Sequence, residues 1–248
     1  TFYGMLANID ENIGHLLAGL QEWGIDTNTL VVLMNDNGGY PPACQIYNAG
    51  MRGSKATAWE GGTRAVSFWR WPGFLKPSTV EQLTSVVDLF PTFIELAGVT
   101  LDARVTAQVE GRSLVPLLKN PGAPWGDRNL ITHVGRWGGM SPGSPPAKYI
   151  KGGCSIRNSR FSLVRGATDW QLFDLKYDPG QADDLAAKEP EVVKPLAAAY
   201  DQWWARVLPD LVNEDAYKTA PKVNPFKQEY WKQFGGGPKS RARPEKSD

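Results

Sequence analysis

The stretch VVLMNDNGGY, residues 31–40, joins a run of apolar residues to an acid, an amide and two glycines. A continuous apolar run of this kind is typical of a strand covered on both faces of an α/β sheet. Ligands of such sheets bind beyond the carboxyl ends of the strands, where Asp36 and Asn37 stand. Their carboxylate and amide oxygens are the hard donors that Ca²⁺ or Mg²⁺ prefers. The same residues also suit an ordinary turn that ends a strand.

The flanking sequence predicts helices and strands in alternation. Apolar residues recur every three or four positions over residues 2–20, which predicts an amphipathic helix stopped by Gly24. Residues 65–71 are interpreted as a second strand and residues 86–97 as another helix. Residues 38–64 between the strands are rich in glycine and proline, and a loop of this length is usually functional or disordered. The order of elements predicts an α/β fold.

A smaller α+β unit is predicted further along the chain. Its short antiparallel strands are expected at residues 149–150, 154–157, 161–164 and 170–174. Three arginines of this sheet are expected to form a solvated face, with a groove for an anionic substrate as the alternative: Arg157, Arg160 and Arg165. A helix is predicted from Pro190 to about Val207. Residues 213–248 are rich in lysine, proline and glycine, which predicts an extended basic tail.

Composition excludes several classes of partner. The chain has 248 residues, of which 42% are hydrophobic and 21% charged, with a formal net charge of +1. A near-neutral chain has no field that steers it to nucleic acid or an anionic membrane. No apolar run approaches the roughly 18 residues that a membrane span needs. We therefore expect neither a nucleic-acid nor a membrane partner. The chain begins at Thr1 without a methionine, which indicates a processed or truncated protein.

A second polar cluster lies in MRGSKATAWEGGTR, residues 51–64. Lys55 stands among small residues, and a compact, mobile ammonium suits an anion such as sulfate or phosphate. Glu60, the two glycines after it and Arg64 are predicted to form a rigid turn that holds this loop. A solvated loop lysine is the alternative interpretation.

Taken in order, these motifs resemble the carboxyl-terminal half of a type I, formylglycine-dependent sulfatase of the alkaline-phosphatase-like superfamily. The matching segments are NDNGG (35–39), GSKATAWEGGTR (53–64), RWPG (70–73), VDLFPT (87–92) and LFDLKYDPGQADDLA (172–186). The likeness covers residues 1 to about 210. It implies part of a mixed-sheet sulfatase catalytic domain over residues 1–104, and a smaller carboxyl-terminal subdomain with a short antiparallel sheet and one helix over residues 105–212.

The resemblance also implies roles for individual residues. Asp36 and Asn37 would be two of the ligands of a calcium ion, and Lys55 would contact the sulfate ester as a catalytic and substrate-binding residue. The family makes its formylglycine nucleophile from Cys/Ser-x-Pro-x-Arg, a pattern that neither Cys44 nor Cys154 fits. The nucleophile and the remaining calcium carboxylates would then lie upstream, in a missing amino-terminal half of the same enzyme. We therefore expect the chain alone to be inactive.

His133, in THVGRWGG, is the one histidine outside the first predicted helix. It stands between the predicted units, where it could join Arg136 and Trp137 in a substrate-binding rim. A structural histidine with satisfied hydrogen bonds is the alternative. The ten tryptophans favour a sulfated carbohydrate, because sugars stack on aromatic rings, although core packing explains the same residues.

Three functions therefore remain open. The first is hydrolysis of a sulfuric ester, with a sulfated carbohydrate as substrate. The second is hydrolysis of a phosphoryl or phosphonate ester by the same superfamily, whose sites tend to carry histidine where this chain has Asp and Asn. The third is a non-catalytic remnant that binds sulfated glycans. The family is mostly exported, which implies a periplasmic or secreted location.

Overall fold

The computed structural model describes residues 2–134, 153–166, 168–211 and 225–235. They divide into a main unit, which extends to Trp204, and a second unit that holds the residues from Ala205 onward. The predicted strand at 149–150 and the predicted rim residues Arg136 and Trp137 lie outside the described residues.

The main unit opens with a helix and a two-stranded sheet. Helix α1 covers Phe2–Glu22 and is followed by Gly24 at φ +68°, the left-handed stop that the sequence predicts. A 3-10 turn, Asp26–Asn28, leads into strand β1, Val31–Met34. Strand β2, Ser67–Arg70, pairs antiparallel with β1.

The apolar faces of these elements are less buried than their pattern predicts. Leu33 on β1 is 38% exposed and Phe68 on β2 is 63% exposed, so the prediction of a strand covered on both faces is wrong for the described residues. On α1, Ile9 is 51% exposed and burial is reached at Leu20. An apolar pattern indicates a face that packs, but it does not say which part of the protein covers that face.

Short helical segments precede and follow β2 in the sequence: α2 (Pro41–Cys44), α3 (Glu60–Thr63), a 3-10 turn (Val86–Asp88), α4 (Leu89–Leu96), α5 (Ala103–Thr106) and α6 (Val115–Lys119). The buried carboxylate of Asp88 ties the 3-10 turn to later parts of the chain. It accepts hydrogen bonds from the backbone N–H groups of Ser85 and Arg112, each at 2.8 Å, and forms a salt bridge with Arg128. Thr92, also buried, accepts a hydrogen bond from the N–H of Leu114 at 2.8 Å.

The carboxyl-terminal part of the main unit is a four-stranded antiparallel sheet, in the order β3-β4-β5-β6. Its strands are β3 (Leu130–His133), β4 (Cys154–Arg157), β5 (Phe161–Arg165) and β6 (Trp170–Asp174). The last three agree with the prediction. Strand β3 was missed, because it is a short run within a region dominated by glycine and proline.

Helix α7, Pro190–Leu211, begins at the predicted residue and packs on this sheet through aromatic side chains. Tyr200 is fully buried and Trp204 is 6% exposed, and the sheet residues Ile156 and Leu163 are also buried. A short antiparallel sheet with one helix is therefore present, as predicted.

Residues of the second unit include a helix, α8, over Pro225–Phe234. The prediction of an extended tail is wrong for this segment. Tyr230 and Phe234 are four residues apart, and their rings lie 5.0 Å apart on one side of the helix. None of the described helices combines the length and apolar composition needed to cross a bilayer.

Candidate calcium and sulfate site

Asp36 and Asn37 stand just beyond the end of β1, as the sequence predicts. The N–H of Asn35 donates to Val66 at 3.2 Å, and the N–H of Gly38 donates to Gly62 at 2.9 Å. Asp36 is exposed and Asn37 is half-buried. Among the described residues, neither side chain makes a hydrogen bond or an ion pair. Their oxygen atoms are therefore available to a cation.

The glycines next to this pair allow two backbone segments to touch. A Cβ added to Gly38 would collide with the carbonyl oxygen of Gly61. A Cβ on Gly39 would lie 2.6 Å from the sulfur of Cys44. Glycine at residue 38 thus serves the close packing of the β1 end against α3.

Lys55 lies beside the same turn. Its backbone N–H donates to the carbonyl oxygen of Gly39 at 2.9 Å, and Gly39 follows Asn37 by two residues. The Lys55 side chain is exposed and has no ion pair within the described part of the chain. The structure therefore brings the backbone of the predicted anion-binding lysine next to the predicted metal-binding turn.

The loop that carries Lys55 is fixed from inside. Asn48 donates from its side-chain amide to the carbonyl oxygens of Met51 at 2.6 Å and Gly53 at 2.8 Å. The N–H of Gly61 donates to the carbonyl oxygen of Arg52 at 2.8 Å, which closes the loop at its base. A loop with this many internal bonds can hold a side chain in a defined place.

Glu60 begins the predicted turn, and the N–H of Arg64 donates to its backbone carbonyl oxygen at 2.8 Å, which closes one helical turn. The Glu60 side chain is only 4% exposed, and both of its oxygens bind Arg157 of β4, at 2.8 and 3.0 Å. Arg157 is therefore paired rather than solvated, contrary to the prediction. Sequence gives no signal for this pair, because its members are 97 residues apart.

Gln181 is a second residue that the sequence analysis missed. It is fully buried and accepts the N–H of Glu60 on its side-chain oxygen at 2.8 Å. The backbone carbonyl oxygen of Gln181 accepts a hydrogen bond from the guanidinium of Arg52 at 3.2 Å. Within the polar segment DPGQADDL nothing in the composition marks this amide as buried. Gln181 does lie in segment 172–186, which resembles a sulfatase motif. That resemblance is the sequence signal that could have identified this residue.

His133 ends β3 and faces α7. Its Nδ1 lies 2.7 Å from the hydroxyl of Tyr200, and its ring stacks on Trp204 with 4.6 Å between the ring centres. Partial burial lowers the pKa of His133, because the charged imidazolium loses hydration. These contacts fit the structural interpretation of this histidine, which is partly exposed.

Asp36 and Asn37 carry the kinds of oxygen atom that Ca²⁺ binds. Ca²⁺ takes about six to eight oxygen ligands, of which Asp36 and Asn37 would supply two or three. No group of three or more His, Cys, Asp and Glu side chains converges within the described part of the chain. The donor chemistry thus fits Ca²⁺, and the set needs carboxylates from elsewhere. Cys44 and Cys154 do not form a disulfide.

Two protein-family models match the chain. A model described as Sulfatase matches residues 1–99, and one described as N-sulphoglucosamine sulphohydrolase, C-terminal, matches residues 54–202. The chain belongs to the sulfatase family, and the resemblance inferred from its motifs is confirmed.

The relatives that this chain matches are much longer proteins. The chain is 28% identical to mouse arylsulfatase J over 90% of its own length, which is 43% of that protein. It is 38% identical to mouse steryl-sulfatase over 81% of its length, and 36% of the relative is covered. It is 28% identical to an N-acetylglucosamine-6-O-sulfatase of Bacteroides thetaiotaomicron over 79% of its length, and 34% of the relative is covered. The chain thus spans less than half the length of these relatives.

Solved structures agree on the fold. The crystal structure of Ps i-CgsB in complex with k-i-k-neocarrahexaose superposes with a TM-score of 0.65 at 21% identity, over 93% of this chain and 46% of the other. BT4656 in complex with its substrate D-glucosamine-2-N,6-O-disulfate gives a TM-score of 0.55 at 24% identity, over 83% of this chain and 40% of the other. The predicted α/β fold class, with a small carboxyl-terminal antiparallel sheet, is confirmed.

Proposed function

We propose that this chain is the later part of a calcium-dependent sulfuric-ester hydrolase that acts on a sulfated carbohydrate. The observation that carries the proposal is the hydrogen bond of 2.9 Å from the N–H of Lys55 to Gly39. This bond brings the Lys55 backbone beside the turn that bears Asp36 and Asn37, which supports a shared site. A lysine ammonium and two hard oxygen donors are the groups that would hold an anion through a divalent ion.

In this proposal Asp36 and Asn37 bind Ca²⁺ through their side-chain oxygens, and Lys55 donates a charged hydrogen bond to a sulfate oxygen. A bound calcium ion supplies positive charge where negative charge develops on the transferring group. Lys55 adds to this stabilisation, and its exposed side chain can reach a ligand that arrives from solvent. The nucleophilic formylglycine and the other calcium ligands belong to the amino-terminal half of the enzyme.

The same amino-terminal half is the proposed partner of the exposed apolar residues on α1, β1 and β2. The relatives are more than twice as long as the matched region, which supports a partner of this kind. Ile9, Leu33 and Phe68 are 51%, 38% and 63% exposed, and covering them would offset the cost of leaving apolar area in water. A periplasmic or secreted location is proposed from the family alone.

A carbohydrate substrate is supported by the relative named N-acetylglucosamine-6-O-sulfatase and by the structure solved with a glucosamine disulfate. The 38% identity to a steryl-sulfatase favours a second candidate, an aryl or steryl sulfate. His133 is kept as a proposed contact to the non-sulfate part of the substrate. Assays of sulfated monosaccharides against steryl and aryl sulfates, with the complete enzyme, separate the two.

Titration calorimetry of Ca²⁺ and inorganic sulfate into the purified chain tests the site itself. We expect Asp36→Ala and Asn37→Ala to weaken Ca²⁺ binding, and Lys55→Ala to weaken sulfate binding while Ca²⁺ binding stays as in the wild type. Lys76→Ala, a lysine on a loop beyond β2, is the matched control and should change neither. If Zn²⁺ or Mn²⁺ binds and Ca²⁺ does not, the phosphoryl-ester alternative is favoured. If Asp36→Ala binds Ca²⁺ as the wild type does, the proposed metal site is wrong.

A further inference from the structure

Four side chains join the Lys55 loop to the carboxyl-terminal sheet, and we call them the Gln181 clamp: Arg52, Glu60, Arg157 and Gln181. Arg157 on β4 binds both oxygens of Glu60, at 2.8 and 3.0 Å. Gln181 accepts the Glu60 N–H at 2.8 Å and takes the guanidinium of Arg52 on its carbonyl oxygen at 3.2 Å. The Arg52 guanidinium also stacks 3.7 Å above the Trp59 ring. Two parts of the main unit, distant in sequence, are therefore tied at one point.

Burial makes this connection hard to release. Gln181 is 0% exposed and Glu60 is 4% exposed. Both polar atoms of the Gln181 side-chain amide have a partner. Its oxygen accepts the Glu60 N–H, and its nitrogen lies 3.4 Å from the hydroxyl oxygen of Ser162. If α3 moved away from β4, a buried carboxylate and a buried amide would lose their partners without gaining water. Alternative placements of the loop are therefore disfavoured.

The clamp brackets Lys55 in the sequence. Arg52 lies three residues before Lys55 and Glu60 five residues after it. The two ends are joined by the 2.8 Å bond from the N–H of Gly61 to the carbonyl oxygen of Arg52. The segment between them is then left with few conformations, and the N–H of Lys55 keeps its bond to Gly39. Ala56, at φ +69°, marks the tightness of this segment.

We propose that Gln181 and Arg157 are positioning residues, which hold Lys55 at the distance from Asp36 and Asn37 that an anion bound to Ca²⁺ requires. They touch neither the metal nor the anion, and act through Glu60 and Arg52. This inference rests on the proposed function for its ligand. The clamp's effect on the loop is a separate property that can be measured without any ligand.

The test is Gln181→Ala in the full chain, with two measurements. Hydrogen exchange of the Lys55 and Gly61 amides reports the loop, and titration of inorganic sulfate in the presence of Ca²⁺ reports the site. We expect exchange at these amides to be about tenfold faster or more, because local opening no longer breaks the bond from the Glu60 N–H to the Gln181 side chain. We expect the dissociation constant for sulfate to rise roughly tenfold.

Thr92→Val is the matched control. Thr92 is as fully buried as Gln181 and is hydrogen-bonded to Leu114 at 2.8 Å, but it lies on α4 and has no bond to the Lys55 loop in the described structure. It should lower the melting temperature to a similar extent without changing loop exchange or sulfate affinity. If Gln181→Ala does not fold, Arg52→Ala removes an exposed member of the clamp and is expected to change both readouts in the same direction.

Each result decides one of the two claims. If a folded clamp variant shows unchanged hydrogen exchange at the Lys55 and Gly61 amides, the claim that the Gln181 clamp restrains this loop is overturned. Faster exchange with unchanged sulfate affinity overturns its positioning role, as does equal loosening in Thr92→Val. If the wild-type chain binds no sulfate while the exchange difference is present, the positioning role falls together with the role proposed for Lys55, and the clamp stands as a fastening of the loop.

Discussion

Arg157 and Glu60, which lie 97 residues apart in the sequence, form a two-point salt bridge with N–O distances of 2.8 and 3.0 Å. Glu60 stands at the start of the turn behind Lys55, and Arg157 belongs to the carboxyl-terminal sheet. The pair links the part of the chain that carries the candidate site to the part that carries none of its ligands. Under the proposal above, it is the route by which the carboxyl-terminal sheet affects a site located elsewhere in the sequence.

Replacing Arg157 by alanine should destabilise the protein strongly. It leaves the carboxylate of Glu60 buried and unpaired, a situation that costs about 3–5 kcal/mol for a fully buried pair. Because the Arg157 side chain is 24% exposed, water can reach part of the gap, and we expect a loss of about 2–3 kcal/mol in the free energy of unfolding. Urea denaturation measures this quantity directly.

Lys232→Ala is the control for that experiment. Lys232 makes a salt bridge with Glu229 within α8, and these two side chains are 70% and 60% exposed. A pair that is exposed on both sides contributes only about 0–1 kcal/mol, so this variant should be much milder. Equal losses in the two variants would show that burial of Glu60 has no part in the effect.

Gly38 offers a prediction about close packing. Gly38→Ala would drive a methyl group into the carbonyl oxygen of Gly61, a backbone atom that cannot swing aside. We expect a loss of about 1–3 kcal/mol in the free energy of unfolding, together with weaker Ca²⁺ binding, because the β1 end must shift. Differential scanning calorimetry and Ca²⁺ titration measure the two effects.

Gly14→Ala is the opposite case. Gly14 lies inside α1, and an added Cβ there meets no atom within 4 Å. Alanine favours the helix by about 0.5–1 kcal/mol over glycine, so this variant should be stabilised. If Gly38→Ala and Gly14→Ala change the melting temperature in the same direction, the claim that close packing requires glycine at residue 38 is contradicted.

The sequence predicts those parts of the fold that depend on local pattern. Helix α1, strand β1 and the helix at Pro190 follow from periodicity and from stop signals such as Gly24, and all three are present. The adjacency of Lys55 to the β1 end came from the family resemblance, since spacing alone does not bring two loops together. The structure brings the Lys55 backbone to Gly39, and the roles of Lys55, Asp36 and Asn37 stay predictions.

The sequence does not reveal contacts between distant polar residues. Gln181 sits in a segment of aspartates and glycine that resembles a solvated turn, yet it is completely buried. The sequence around Arg157 on β4 does not distinguish it from a solvated arginine on an exposed strand. Whether such a residue is solvated or clamped depends on which loop folds over it. That information lies in the tertiary structure.

Asp88 should make stability depend on pH in the acid range. Burial alone would raise the pKa of Asp88, but the hydrogen bonds from Arg128, Arg112 and Ser85 outweigh it and hold the pKa below the ordinary value of 3.8. A lowered pKa in the folded state means that the unfolded chain binds more protons in acid. The stabilisation is therefore complete above about pH 5 and is lost as the pH falls through 3.8 and below.

Urea denaturation of the wild type and of Asp88→Asn at several pH values measures this. The wild type should be more stable at pH 6, and the difference between the two should shrink below about pH 4. Asp10→Asn, at an exposed residue of α1, is the control and should follow the wild type at each pH. A constant difference between pH 3 and pH 6 would contradict the role assigned to the Asp88 carboxylate.

His133 should contribute a separate dependence nearer to neutral pH. Burial lowers the pKa of His133, so below the ordinary value of 6.5 the unfolded chain takes up a proton that the folded chain resists. The free energy of unfolding should therefore fall as the pH drops from about 7 toward the lowered pKa. His133→Gln keeps a group that can hydrogen-bond Tyr200 but does not titrate, and it should remove this part of the slope. Denaturation between pH 5 and pH 7.5 tests it, with His15→Gln on the exposed face of α1 as the control. If both histidine variants keep the wild-type slope, the packing of His133 against Tyr200 and Trp204 does not govern its protonation.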